Sequence, residues 1–116
     1  MAGVAGISWV LMMFINPGAA HDADSIAAKF DVQIVWQNRV LCAGPDDRVA
    51  GCFTPAAPDT IFVRTGQTPE LERYIVLHEL GHVIQYRLGL DRDECGADRF
   101  AQSMGSTYGN YCAPVN

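Results

Sequence analysis

The segment 68–88, TPELERYIVLHELGHVIQYRL, restricts the fold of this chain more than any other. Its apolar residues recur at helical spacings: Leu71, Ile75, Leu77, Val83, Ile84 and Leu88. Thr68 is a favourable N-cap, Pro69 suits the first helical position, and Gly89 suits the end of a helix. The pattern therefore predicts one long helix against which the rest of a short chain has to pack.

Two histidines and a glutamate on this helix form a candidate metal-binding motif. His78 and His82 are four residues apart, so both imidazoles project from one face about a turn apart and can share a tetrahedral ion. Glu79 is placed to activate a metal-bound water without being a ligand itself. The alternative is a pair of helix-surface or core histidines without a metal.

A third helix is expected to follow, capped by Asp91 or Asp93 and running to about residue 104. Its apolar face comprises Ala97, Phe100, Ala101 and Met104. Gly81 lies inside the preceding helix, where it costs about 1 kcal/mol relative to alanine. That cost predicts a close approach by a neighbouring element at Gly81.

HELGH at 78–82 and ECGAD at 94–98 together resemble the gluzincin group of zinc metallopeptidases, over roughly residues 60–104. The resemblance implies a Zn²⁺ site completed by Glu94, with Asp98 supporting a zinc-bound histidine. Asp98 and Asp93 are the alternatives to Glu94 as a ligand. The activity implied is zinc-dependent hydrolysis of peptide bonds, in which Glu79 activates the zinc-bound water.

Two further expectations come from the same resemblance. Larger members place a histidine or tyrosine over the transition state, but no histidine follows His82 here. The candidates are a tyrosine (Tyr86, Tyr108 or Tyr111) or an arginine, and Tyr86 is the first candidate. In related peptidases the strand before the active-site helix forms the sheet edge along which substrate lies, and residues 60–64 occupy that place.

The first half of the chain predicts a short helix and a small sheet. Residues 24–30 have a helical pattern with Asp22 or Asp24 as N-cap, and residues 32–36 and 60–64 read as strands. Residues 40–43 and 51–54 are expected to form a second pair of strands. The expected fold is α+β, with a short N-terminal helix, three or four mainly antiparallel strands, an active-site helix and a third-ligand helix.

The N-terminus and the cysteines point to export. Residues 1–20 are uncharged and largely apolar and end in small residues, which predicts a signal peptide cleaved after Ala20 or, alternatively, a membrane anchor. A metallopeptidase-like domain, 21–116, would remain. Of three pairings, short loops favour Cys42 with Cys52 and Cys95 with Cys112. A thiolate metal site is the rival interpretation, although the chain has no CxxC spacing.

Charge narrows the range of partners. A net charge of -5, with Lys29 as the single lysine, provides no basic stripe for a phosphate backbone and excludes nucleic acid. The expected molecule is a secreted or extracytoplasmic monomer acting on a peptide or protein, and it meets a membrane only if the N-terminal segment is retained. Two alternatives are a non-catalytic binding module stabilised by zinc and disulfides, and a metallopeptidase-like regulator inside the cell.

Overall fold

A computed structural model describes residues 22–42 and 49–112 of the chain. Over these residues the fold is α+β, as predicted, with three helices and a three-stranded sheet. In chain order the elements are α1 (Asp22–Lys29), β1 (Gln33–Gln37), β2 (Gly51–Phe53), β3 (Thr60–Arg64), α2 (Pro69–Arg87) and α3 (Glu94–Ser103). The predicted signal peptide, residues 1–20, lies outside the described residues. No described helix is long and apolar enough to cross a membrane.

The sheet is mixed, whereas the sequence predicted mainly antiparallel strands. Its order is β1-β3-β2; β3 runs parallel to β1, with Ile34 opposite Ile61, and antiparallel to β2, with Cys52 opposite Phe62. The chain turns back through β2 and then inserts β3 between the two earlier strands. Alternating apolar residues show which face of a strand is buried but not the direction of its neighbour.

β3 is the central strand, so the expectation that residues 60–64 form the sheet edge is wrong. The edge position beside α2 belongs to β2. The strand expected at residues 40–43 is also not formed over 40–42, and residue 43 is outside the described part. This segment is fixed by the fully buried side chain of Val40 and by the disulfide of Cys42 with Cys52.

The long helix α2 forms where the sequence predicts it. Thr68 is the N-cap, and its hydroxyl oxygen accepts a hydrogen bond from the backbone N–H of Leu71 at 3.3 Å. Gly89 follows the last turn with a φ of 70°, a value that suits glycine. Every residue from Ile75 to Val83 is buried. The middle of α2, which carries the HELGH motif, therefore lies inside the fold.

Helix α3 packs closely against α2 where Gly81 meets Ala97. A Cβ atom at position 81 would lie 2.8 Å from the Cα of Ala97, so the close approach predicted from Gly81 is confirmed. Asp93 is the N-cap of α3, and its carboxylate accepts a hydrogen bond from the N–H of Cys95 at 3.2 Å. After α3 the chain is irregular and is joined back by the disulfide of Cys95 with Cys112. Both predicted disulfides are thus confirmed.

Candidate metal centre

Three side chains converge between α2 and α3. The Nε2 atom of His78 lies 2.8 Å from Oε1 of Glu94, and Nε2 of His82 lies 3.0 Å from the same oxygen. Their ligand atoms lie within 4.8 Å of one another, so the group can hold a metal ion. Asp93 caps α3 and Asp98 contacts the opposite nitrogen of His78, which leaves Glu94 as the carboxylate facing both Nε2 atoms.

Asp98 fixes the orientation of the first histidine ring. This fully buried carboxylate accepts a hydrogen bond from Nδ1 of His78 at 2.7 Å and another from the hydroxyl of Tyr74 at 2.6 Å. Its other oxygen accepts the backbone N–H of Tyr111 at 2.8 Å. Burial alone would raise the pKa of Asp98, but these three hydrogen bonds outweigh it and hold the pKa below its usual value.

Gln85 has the matching role for the second histidine, and sequence reasoning did not find it. Its Nε2 donates to the carbonyl of Asp93 at 2.9 Å, and its Oε1 accepts the N–H of the same residue at 3.1 Å. That oxygen also lies 2.9 Å from Nδ1 of His82. The only signal in the sequence was its position one turn after His82 on the same helix.

These partners determine which ring nitrogens carry protons. An ionised Asp98 and the amide oxygen of Gln85 can only accept, so Nδ1 is the protonated nitrogen of both histidines. In the neutral rings the Nε2 lone pairs then both point at an oxygen of Glu94. Three electron-rich atoms cannot remain in contact without positive charge between them, so the arrangement requires a cation or additional protons. The donor set therefore fits a metal ion.

Glu94 is held in its ionised form while remaining accessible. Burial alone would raise its pKa, but with both rings protonated, hydrogen bonds and charge interactions with His78 and His82 lower it below the usual value. Its side chain is 48% exposed, whereas the two histidines are buried. The group is therefore closed on the helix side and open toward the solvent.

Glu79 lies beside the donors without joining them. Its side chain is buried, with 7% exposure, and lines the same cavity as the two histidines. Desolvation raises the pKa of Glu79 to about 7, although the histidines and Arg92 act in the opposite direction. A carboxyl group with a pKa near neutrality can both accept and donate a proton under physiological conditions.

A cavity of about 520 Å³ opens in front of the cluster. Residues 49–54, which include β2, form one wall, and α2 with the start of α3 forms the other. At Gly51 the strand crosses α2 so closely that an added Cβ would lie 3.3 Å from Cγ of Glu79 and closer still to Ile75. Glycine is needed there because any side chain would push β2 away from the helix.

The structure separates the candidates for a transition-state donor. Tyr86 is half exposed and its ring packs against Phe53, with centroids 5.8 Å apart; it does not line the cavity. Tyr108 packs against Tyr74 and is likewise absent from the cavity wall. Tyr111 does line the cavity, and its ring centroid is 5.1 Å from that of His78.

Arg92 is the arginine among these candidates that lines the cavity. Arg92 therefore reaches the candidate site from the loop between α2 and α3, and Tyr111 reaches it from the irregular segment after α3. Desolvation, followed by the charges of the nearby carboxylates, raises the pKa of Tyr111 above its usual value, which keeps its hydroxyl protonated as a donor.

Comparison with protein-family models found no family that matches this chain, and comparisons with curated proteins and with solved structures found no match either.

Proposed function

We propose that this chain is a zinc-dependent peptidase of the gluzincin type. The observation that carries the proposal is the convergence of His78, His82 and Glu94 at the wall of an open cavity, with Glu79 beside them and outside the donor set. A purely structural zinc site is normally closed by four protein ligands, whereas a catalytic site uses three and keeps one position for water or substrate. The solvent-accessible side chain of Glu94 agrees with a catalytic site of three protein ligands.

Zinc is the metal we propose, because two imidazoles and one carboxylate form a donor set typical of catalytic zinc. Asp98 and Gln85 would hold the two rings in the tautomer that presents Nε2 to the ion. When bound, zinc supplies a Lewis acid that polarises a carbonyl group and lowers the pKa of water.

Glu79 is the proposed general base. Its carboxylate would take the proton of the attacking water and pass it to the nitrogen of the leaving amine. The pKa of about 7 given by its buried position suits both steps. Tyr111, from the cavity wall, is the proposed hydrogen-bond donor to the oxygen that develops negative charge.

The outer edge of β2 is the proposed substrate-binding strand. The backbone N–H of Arg64 donates to the carbonyl of Ala50, so Ala50 and Cys52 direct their backbone groups toward β3. Gly51 and Phe53 then direct their backbone N–H and C=O groups away from β3, because hydrogen-bonded and non-hydrogen-bonded pairs alternate along two antiparallel strands. Within the described part of the chain no further strand pairs with this edge. An extended peptide can therefore add to the sheet in front of Glu79.

The proposed location is extracytoplasmic. The two disulfides are compatible with an oxidising compartment. The uncharged apolar segment at residues 1–20 has the composition of a secretion signal. Mass spectrometry of the mature protein would show whether it begins after Ala20 and whether all four cysteines are paired.

The metal content of the purified protein tests the metal-binding part of the proposal. We expect about one zinc per chain in the wild type and a loss of zinc in His78→Ala and Glu94→Ala. Glu70→Ala is the matched control, because Glu70 is exposed in the first turn of α2, and it should retain zinc. Full zinc occupancy in Glu94→Ala would contradict the assignment of the third ligand.

Hydrolysis of a peptide library tests the catalytic part. Glu79→Gln should retain zinc and lose activity by several orders of magnitude, while Glu70→Gln keeps both. Activity in the wild type that disappears with a chelator and returns with zinc would exclude the non-catalytic binding module. Unchanged hydrolysis by Glu79→Gln would refute the proposed mechanism.

A further inference from the structure

Arg92 is an exposed basic residue that lines the cavity. Among the described residues that line it, Arg92 is the only lysine or arginine. The whole chain carries 13 acidic residues against 8 basic ones, and the cavity is also lined by Glu79 and Glu94. Among the described residues, Arg92 therefore provides the one permanent positive charge of the cavity lining.

The guanidinium group of Arg92 is held at one end of β2. Its Cζ atom lies 6.0 Å from the ring centroid of Phe53, at the outer limit of a cation–π contact. Its Nη2 atom lies 3.5 Å from the carbonyl oxygen of the same phenylalanine, which is a weak hydrogen bond. Phe53 is the last residue of β2, so Arg92 marks the end of the outer edge along which a ligand would lie.

Acidic neighbours in the sequence do not neutralise Arg92. Asp93 uses its carboxylate to cap α3, and Glu94 faces the two histidines. No carboxylate of a described residue lies within ion-pair distance of the guanidinium. Arginine has five N–H donors, and here one of them contacts the carbonyl oxygen of Phe53. The remaining donors are available to a ligand.

We propose that Arg92 binds a carboxylate of the ligand that occupies this cavity, either the C-terminal carboxylate of a peptide or an acidic side chain within it. The inference rests on the proposed function and names its substrate class, acidic or C-terminal peptide segments. The planar guanidinium matches a carboxylate with two parallel hydrogen bonds, which favours this charge over a neutral amide.

The geometry also sets how far the carboxylate lies from the reacting bond. Gly51 is the point of β2 beside Glu79, and Phe53, next to Arg92, is two residues further along the strand. Two residues of extended chain span about 7 Å. A peptide lying along β2 therefore places its negative charge within one or two residues of the bond beside Glu79.

Binding of matched peptides to a protein that does not turn them over tests this proposal. The probes are neutral acetylated peptides with a C-terminal carboxylate or amide, and amidated peptides with one internal glutamate or glutamine. Calorimetry on zinc-loaded Glu79→Gln gives the Kd of each. We expect the acidic member of at least one pair to bind about tenfold more tightly, and the responding pair identifies the source of the carboxylate.

Substitutions made in the same Glu79→Gln background assign the preference to one residue. Arg92→Gln should reduce the Kd ratio of the responding pair to near one, and Arg92→Lys should keep part of it, because lysine retains the charge but not the planar pair of donors. Arg99→Gln is the matched control: Arg99 is exposed on α3 and does not line the cavity, so the ratio should persist.

The outcomes separate this proposal from the proposed function. Equal binding of acidic and neutral peptides, a preference that survives Arg92→Gln, or no binding of any probe would each overturn the role of Arg92. The Kd ratio is measured without turnover. A wild-type protein that hydrolyses none of these peptides but shows an Arg92-dependent ratio would therefore refute the peptidase activity and support carboxylate recognition.

Discussion

The contact between Gly81 and Ala97 allows a prediction with a definite sign. An alanine Cβ at position 81 would lie 2.8 Å from Cα, 3.1 Å from Cβ and 3.2 Å from the carbonyl oxygen of Ala97. Carbon atoms in van der Waals contact are about 3.5 to 4.0 Å apart, so Gly81→Ala must separate the two helices by about 0.7 Å or more. The obstacle is backbone, which cannot rotate away as a flexible side chain would.

Two opposing effects then determine the change in stability. Overpacking of this kind costs about 1 to 3 kcal/mol, and the rigid neighbour points to the upper part of that range. Replacing a helical glycine by alanine contributes about 1 kcal/mol in the opposite direction. We therefore expect Gly81→Ala to lower the free energy of unfolding by about 1 to 2 kcal/mol, which urea denaturation of the metal-free protein would measure.

The same displacement should weaken the metal centre. Glu94 is one turn before Ala97 on α3, so separating the helices moves its carboxylate away from the histidines on α2. We expect the zinc affinity of Gly81→Ala, measured by competition with a chelator, to fall about tenfold. Gln102→Ala, on the exposed side of α3, should change stability by less than about 0.5 kcal/mol. A Gly81→Ala protein about 1 kcal/mol more stable than the wild type would refute the packing argument.

Further predictions concern the groups around the histidines. Asp98→Asn should lower zinc affinity about 10- to 100-fold, because it removes the negative charge and replaces one of the two oxygens that accept hydrogen bonds with a donor. Gln85→Ala should lower it about tenfold, because it removes the acceptor that orients His82; chelator competition measures both. Replacing Cys95 and Cys112 together by alanine should lower the free energy of unfolding by about 3 kcal/mol, the chain-entropy value for a separation of 17 residues, as read from urea unfolding. In the metal-free protein, the free energy of unfolding should fall by about 3 kcal/mol as the pH rises from 4.5 to 7. The pKa of Glu79 is raised from 4.5 to about 7, so the folded state binds this proton more tightly than the unfolded chain does. Thermal or urea unfolding across this pH range should show the slope in the wild type and not in Glu79→Gln.

Controls make these outcomes decisive. Asp91→Asn changes an exposed carboxylate in the loop before α3 and should leave zinc affinity unchanged. Wild-type affinity in Asp98→Asn would show that this carboxylate does not orient the ring. A pH slope that persists in Glu79→Gln but disappears in another acidic variant would show that a different carboxyl group carries the raised pKa.

The helices were predictable because their signals are local. Thr68, Pro69 and Asp93 mark helix starts by their own chemistry, and the structure places them in those positions. The spacing of His78 and His82 likewise determines which helix face they share. Glu94 came from a resemblance in the ECGAD motif, and the structure brings it to the same two rings.

The sheet and the outer parts of the site were less predictable because they depend on distant contacts. Nothing in the sequence of β3 shows whether its neighbour runs parallel or antiparallel to it, since either pairing buries the same face. Gln85 and Arg92 belong to no recognisable motif and acquire their positions when the loop before α3 folds. Tyr111 is brought to the site from the irregular tail.

That tail also completes the surroundings of the candidate metal centre. The carboxylate of Asp98 receives the backbone N–H of Tyr111, and the next residue is covalently joined to the turn that carries Glu94. Helices α2 and α3 alone therefore lack one of the hydrogen bonds that keep the buried carboxylate ionised. The chain therefore has to be synthesised through Tyr111 before Asp98 has all three of its hydrogen-bond donors, and the disulfide then holds this part of the tail beside α3.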